Sequence, residues 1–214
     1  MTSLPALARP GGTRVLCIMA ASPEYGPALR ARIAPLMVGV GPVEAALETG
    51  IALQRLADAR ELPDLVVCLG SAGSRHLAQG GVYQASSVSW RDMDASPLGF
   101  APGLTPFSDH LVETPLPTPL DTVPSARLST GADIVTGNAY LSVDADMVDM
   151  ETFAILRACQ RFGVPLVALR GISDGAAELR VYDDWTRLLG VLDVRLAEAL
   201  DALWRKLEDG WRMA

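Results

Sequence analysis

Short apolar runs alternate along the chain with longer segments in which apolar residues recur at helical spacing. The apolar runs predict buried strands, and a run that alternates between apolar and polar residues predicts a half-buried one. The predicted strands span residues 14–20, 36–40, 65–69, 82–90, 126–130 and 164–169. Strands and helices in this order predict an α/β fold, in which helices cover a mixed central sheet.

The helical segments have recognisable ends. Met150 and Glu151 open an amphipathic segment whose apolar positions include Ile155 and Cys159, and Gly163 ends it. The other predicted helices span residues 24–33, 43–56 and 182–206. Residues 92–125 are rich in Pro, Ser, Thr and Asp, which predicts a long surface loop that is either functional or part of an interface.

Length and hydropathy are typical of one compact domain. The chain has 214 residues, half of them hydrophobic, and its mean hydropathy is +0.24. We expect a flexible N-terminal arm over residues 1–13 and a single domain over residues 14–214. The arm lacks the pattern of a signal peptide, and Gly, Pro or charged residues interrupt every apolar run, so no membrane span is expected.

Charge and residue usage exclude several function classes. The net charge of −7, with a single lysine and no basic stripe, argues against a nucleic-acid partner. Three cysteines in apolar segments predict reduced core residues and a cytoplasmic location. Neither of the two histidines has the spacing of a metal ligand, so neither a metal nor another cofactor is expected.

Two carboxylates flank one helix-then-strand unit, and they are the first candidates for chemistry. Glu151 opens the helix, and Asp174 follows the strand predicted over residues 164–169. Ligands of open α/β sheets bind beyond the carboxyl ends of the strands, where Asp174 is expected to lie. The alternative is structural, since Asp often caps the next helix and Glu in a first helical turn favours the helix dipole.

Several motifs resemble those of the 5′-methylthioadenosine/S-adenosylhomocysteine nucleosidases, within the purine nucleoside phosphorylase superfamily. The family pattern V-E-M-E-x-x-A-I corresponds to residues 148–155, and R-x-I-S-D corresponds to residues 170–174. The T-G-S-A-G turn is similar to residues 69–73, and F-D-E-F to residues 182–185. Glu24 follows the first strand at the position of the family's catalytic glutamate.

The resemblance implies a three-layer α/β/α fold and a cofactor-free hydrolase that acts on a small-molecule nucleoside. Asp174 would protonate N7 of the leaving purine, Glu24 would polarise the attacking water, and Glu151 would accept hydrogen bonds from the ribose. Ser173 and Arg170 would orient Asp174. The remaining pocket residues that it implies are Met150, Ser71, Ala72, Gly73, Val40, Ile134, Val135 and Tyr182. Family members of this type are homodimers, so a homodimer is expected.

Departures from the family pattern leave alternatives open. The chain is shorter after Glu24, as if a β-hairpin were missing, and Ile134 stands where an aromatic usually stacks on adenine. Another modified nucleoside such as futalosine is therefore an alternative substrate, and a non-catalytic nucleoside-binding or interaction protein is an alternative of a different class. Phosphorolysis is disfavoured because Cys68 and residues 20–23 offer no cation for phosphate, although Arg75 is close in sequence.

Overall fold

The computed structural model describes residues 3–175 and 180–212. These residues form eight strands and five α-helices. The strands are β1 Val15–Met19, β2 Leu36–Met37, β3 Leu65–Gly73, β4 Val82–Trp90, β5 Glu113–Pro115, β6 Ser125–Thr130, β7 Met147–Asp149 and β8 Leu166–Asp174. The helices are α1 Pro27–Arg30, α2 Pro42–Asp58, α3 Thr152–Phe162, α4 Tyr182–Thr186 and α5 Leu189–Glu208. Strands and helices alternate as far as β3, and five strands, β3 to β7, then precede α3.

All eight strands belong to one mixed sheet, as predicted. Its main path runs in the order β2-β1-β3-β7-β6-β4-β5, and β8 pairs with both β3 and β4. The pairs β1–β3 and β3–β8 are parallel, whereas β4–β8 and β3–β7 are antiparallel. The pairings therefore link five strands into a closed ring, in the order β3, β8, β4, β6 and β7. The ends of β3 and β8 belong to this ring.

The helices cover both faces of the sheet, which confirms the three-layer α/β/α architecture. Alternate residues of β1, β3 and β8 contribute to two separate apolar clusters, as the two-residue period of a strand requires. One cluster contains side chains of α2 and α3, and the other contains those of α5 and Leu29 of α1. Strands buried on both faces explain why the sequence shows continuous apolar runs there.

Two strands are longer than predicted, and both extensions carry candidate site residues. Gly70 to Gly73 were predicted as a turn, and Arg170 to Asp174 as the segment after a strand. Instead β3 continues to Gly73 and β8 to Asp174, because the two strands keep pairing in parallel past the end of their apolar runs. The small and polar residues at these positions are therefore held on a sheet and not on loops.

Other segments also differ from the prediction. A short 3-10 turn, Ser22–Glu24, and the four-residue helix α1 replace the helix predicted over residues 24–33, because Gly26 and Pro27 interrupt it. Residues 187 and 188 divide the predicted C-terminal helix into α4 and α5. Strand β7 was missed, since three residues give no detectable period, and the predicted long loop contains β5.

The first residues described are held against the domain. Ala8 forms a β-bridge with Val15, and Pro10 is buried in a turn that packs near the end of α5. Within the described residues, no helix is both long and apolar enough to cross a membrane.

Candidate active site

Glu24 is held by strand β3. The Ser22–Glu24 turn follows β1 and directs the Glu24 side chain, of which only 7% is exposed, towards Ser71. The backbone N–H and the hydroxyl of Ser71 both donate to Glu24 Oε1, at 2.7 and 2.6 Å. Trp185 Nε1 in turn donates to Ser71 Oγ at 3.0 Å. A buried carboxylate with two donors on one oxygen is well placed to act as a hydrogen-bond acceptor.

The buried Arg170 places a positive charge near Glu24. Its guanidinium is fully buried and donates to Asp149 at 2.7 Å and to the Thr152 hydroxyl at 2.6 Å. A Cβ placed on Gly70 would lie 2.5 Å from Arg170 Nη1 and 3.2 Å from Glu24 Oε2, so glycine is required where these two side chains converge. The hydrogen bonds of Arg170 therefore join it to Asp149 and Thr152, and not to Asp174 as expected.

Glu151 lies between β7 and α3, one residue before the helix begins. It occupies the N-cap position, yet its side chain makes no capping hydrogen bond and accepts one from the backbone N–H of Gly41 at 3.0 Å. Gly41 has φ of +99°, in the region that favours glycine, and this turn aims its N–H away from α2. Burial, followed by the charge of Asp149, raises the pKa of Glu151 to about 7.

Asp174 ends strand β8 and has a different environment. It is 8% exposed, and Ser173 Oγ donates to its Oδ1 at 2.5 Å. Burial raises the pKa of Asp174 above its ordinary value of 3.8, although the hydrogen bond from Ser173 acts in the opposite direction. The next described helix begins at Tyr182 with Val181 at its N-cap. Asp174 therefore does not cap that helix, whereas Glu151 lies at the N-terminus of α3, where its charge also favours the helix dipole.

The sheet fixes the relation between the two ends of the site. Glu24 is bonded to Ser71, and Asp174 is paired with Gly73 of the same strand. The partners of the two carboxyl groups on β3 are therefore two residues apart, which corresponds to about 7 Å along the strand.

The remaining predicted pocket residues differ in exposure. Ala72 and Val135 are buried, and Met150 is half-buried beside Glu151. Val40 precedes Gly41 and is largely exposed, as are Ile134 and Tyr182, whose ring makes an edge contact with Trp185. The predicted residues on β3, directly after β7 and on β8 are thus buried or half-buried. Those on the flanking loops and α4, namely Val40, Ile134 and Tyr182, are largely exposed.

The interpretation of the sequence missed several polar contacts in this region. Trp185 was assigned only to an apolar helical face, Thr152 to no role, and Tyr140 to no element. The aromatic residue at the end of the matched motif over residues 182–185 was a signal for Trp185, whereas nothing local distinguished Tyr140. Among the described residues, no three His, Cys, Asp or Glu side chains cluster in a way that would hold a metal ion.

The chain is similar in sequence to known proteins. A family model described as the phosphorylase superfamily matches residues 122–203. The 5′-methylthioadenosine/S-adenosylhomocysteine nucleosidase of Halalkalibacterium halodurans is 30% identical over 187 residues, which cover 77% of this chain and 78% of that relative. The protein of the same name from an Exiguobacterium species is 28% identical over 193 residues, covering 81% and 80%.

Solved structures resemble the whole fold. The nucleosidase of that name from Colwellia psychrerythraea, in complex with adenine, has a TM-score of 0.76 at 21% identity and covers 90% of this chain and 95% of its own. Futalosine hydrolase of Helicobacter pylori has a TM-score of 0.73 at 20% identity, covering 91% and 97%. At these identities the likeness shows a shared fold.

The fold is that of the solved nucleosidase, and the phosphorylase superfamily model matches the C-terminal part of the chain. Within that superfamily, the extent and identity of the sequence match are decisive. The chain belongs to the family of the 5′-methylthioadenosine/S-adenosylhomocysteine nucleosidases.

Proposed function

We propose that this protein hydrolyses the N-glycosidic bond of an adenine nucleoside, 5′-methylthioadenosine or S-adenosylhomocysteine, and releases adenine and the 5-thio-ribose. Membership of the nucleosidase family supports the reaction class and the substrate. The observation that carries the assignment of roles is the pair Glu24 and Asp174, set on one edge of β3 in contrasting environments.

Asp174 acts as the general acid. A purine leaves the sugar more readily when N7 is protonated, and a carboxyl group of raised pKa retains the proton that this step requires. Ser173 fixes one oxygen of the group and leaves Oδ2 facing Gly73. The proton therefore has a defined position at the base end of the site.

Glu24 polarises the attacking water. The Ser71 donors hold Oε1, so Oε2 remains to accept a hydrogen bond from water on the opposite side of the ribose. Glu151 accepts hydrogen bonds from the ribose hydroxyls, with Met150 packed beside the sugar. Anions placed below the ring also stabilise the positive charge that develops on it in the transition state.

The test of the function measures adenine release from 5′-methylthioadenosine, with and without inorganic phosphate. We expect release that is independent of phosphate, together with free methylthioribose. Release that requires phosphate would establish a phosphorylase instead. No release, combined with tight binding of an adenosine analogue, would identify a non-catalytic binder, and hydrolysis of futalosine alone would redirect the substrate assignment.

The surroundings of the two arginines weigh against phosphorolysis. Arg170 is engaged with Asp149 and Thr152, and it lies beside the anionic Glu24. Arg75 lines a cavity of about 240 Å³ together with Tyr140 and other residues, and Glu24 does not contribute to that cavity. Neither arginine is therefore arranged as a phosphate cradle beside the water-activating carboxylate.

We further propose that the protein is a homodimer. Helix α2 exposes the apolar side chains of Val43, Leu47 and Ile51, which recur every four residues along one face, while Val40 is exposed just before the helix. A continuous apolar stripe of this kind is typical of an interface. Light scattering should give twice the mass of one chain, and Leu47→Asp should yield a monomer. The cytoplasmic location expected from the sequence stays a prediction.

A further inference from the structure

One hydroxyl group near Asp174 is buried without a partner. Tyr140 lies in the 3-10 turn Gly137–Ser142, which connects β6 to β7. Its hydroxyl oxygen is inaccessible to solvent and makes no hydrogen bond within the described residues. Buried hydroxyl groups are nearly always paired, because an unpaired one loses its hydration without compensation. An unpaired hydroxyl group beside a candidate ligand site is available to pair with a ligand that displaces the protein atoms covering it.

The hydroxyl points to the base end of the proposed site. A Cβ placed on Gly73 would clash with Tyr140 Oη and would lie 3.0 Å from Asp174 Oδ2. Both oxygens therefore approach the same stretch of bare backbone on β3. Burial, followed by the charge of Asp174, raises the pKa of Tyr140, so the phenol keeps its proton at neutral pH.

The geometry of a purine indicates which of its atoms the Tyr140 hydroxyl would face. The exocyclic substituent at C6 lies on the same edge of the base as N7. If Asp174 protonates N7, a second polar group next to Asp174 Oδ2 faces the 6-substituent. A phenol hydroxyl can accept from a 6-amino group or donate to a 6-oxo group.

We propose that the Tyr140 hydroxyl is a specificity-determining contact to the 6-position of the leaving purine, and that it admits 6-oxopurine nucleosides as substrates besides the 6-amino ones. This inference rests on the proposed nucleosidase function. A 6-amino group can still donate to the free lone pairs of the Asp174 carboxyl group when Tyr140 is absent. A 6-oxo group needs a donor, and among the described residues Tyr140 places one next to Asp174 Oδ2.

The test compares wild type and Tyr140→Phe on 5′-methylthioadenosine and on its 6-oxo counterpart, 5′-methylthioinosine. Tyr140→Phe keeps the ring and removes only the hydroxyl. We expect wild type to hydrolyse both, and the variant to lose at least tenfold more kcat/KM on the 6-oxo than on the 6-amino substrate. Tyr83→Phe removes a hydroxyl that contacts the backbone of Ala78, and it serves as the matched control.

A loss that is equal for both substrates would overturn the inference, as would the absence of hypoxanthine release by wild type while adenine is released. Calorimetric binding of free adenine and hypoxanthine to the same proteins separates this inference from the proposed function, because binding needs no turnover. Selective loss of hypoxanthine binding in Tyr140→Phe without any hydrolysis would support the contact and reject the function. Binding of neither base by wild type would reject the contact.

Discussion

The two ends of the candidate site hold carboxyl groups in opposite ways. At one end Glu24 accepts two hydrogen bonds on one oxygen, and the buried cation Arg170 lies beside it. At the other end Asp174 has one hydroxyl donor and an unpaired phenol nearby, and burial raises its pKa. One carboxyl group is thus equipped to attract protons from water, and the other to retain its own.

Strand β3 accounts for part of this difference. Ser71 presents a hydroxyl and an N–H to Glu24, whereas two residues further on Gly73 presents only backbone to Asp174. A side chain on Gly73 would displace Tyr140. The two carboxyl groups therefore differ according to which residues of the neighbouring strand supply donors and which supply space.

The test with the largest expected effect replaces the proposed general acid, Asp174. We expect Asp174→Asn to lower kcat by about 1,000-fold or more, because the amide has no proton to give to N7. Adenine release from 5′-methylthioadenosine measures the rate, and circular dichroism checks the fold. Asp183→Asn, on exposed α4, is the control and should keep normal activity. A near-normal rate in Asp174→Asn would show that another group is the acid.

The second test concerns the energetic cost of a negative charge on the buried Glu151. In the folded state Glu151 has its pKa raised from 4.5 to about 7, so the protonated form is favoured. Its contribution to stability is complete below pH 4.5 and is lost as pH rises through 7, by up to about 3 kcal/mol. Glu151→Gln should therefore flatten the fall of the free energy of unfolding between pH 5 and 8.

Urea denaturation at these two pH values measures that effect, with the exposed Glu198→Gln as the control whose pH dependence should match wild type. An unchanged pH dependence in Glu151→Gln would mean that Glu151 is not the group that takes up the proton on folding.

The third test addresses the nucleophile end. Glu24→Gln preserves size but removes the negative charge that polarises water, and we expect at least about a 100-fold loss of kcat. The alkaline limb of the pH–rate profile, which follows loss of the proton from Asp174, should stay in place. Glu198→Gln again serves as the control. A loss of only a few fold would transfer the role of water activation to another group.

The smallest effect is expected from replacing Trp185, which donates a hydrogen bond to Ser71. Trp185→Phe removes the indole donor to Ser71 Oγ and should lower kcat by about fivefold, the equivalent of one hydrogen bond of about 1 kcal/mol. Trp204→Phe on α5 controls for the loss of an indole. If KM alone rose and kcat held, Trp185 would act on substrate binding and not through Glu24.

Strong local patterns predicted much of the fold. Runs such as residues 65–69 and the helical periodicity around Ile155 depend on side chains a few positions apart, and the structure confirms a strand and a helix there. Strand β7 was not predictable, because three residues acquire strand geometry only by pairing with β6 and β3. The extension of β8 to Asp174 likewise depends on its partner β3, which lies about a hundred residues away in sequence.

The sequence by itself determined the alternating α/β order, the family resemblance and the identities of Glu24, Glu151 and Asp174 as candidates. Each of these is encoded by residues that are near one another along the chain or that match a motif. Only the tertiary structure decided that Arg170 pairs with Asp149, that Trp185 supports Ser71, and that Tyr140 reaches Gly73. Those contacts join residues from separate strands and turns, and the protonation of a buried carboxyl group depends on that assembled surrounding and not on its neighbours in sequence.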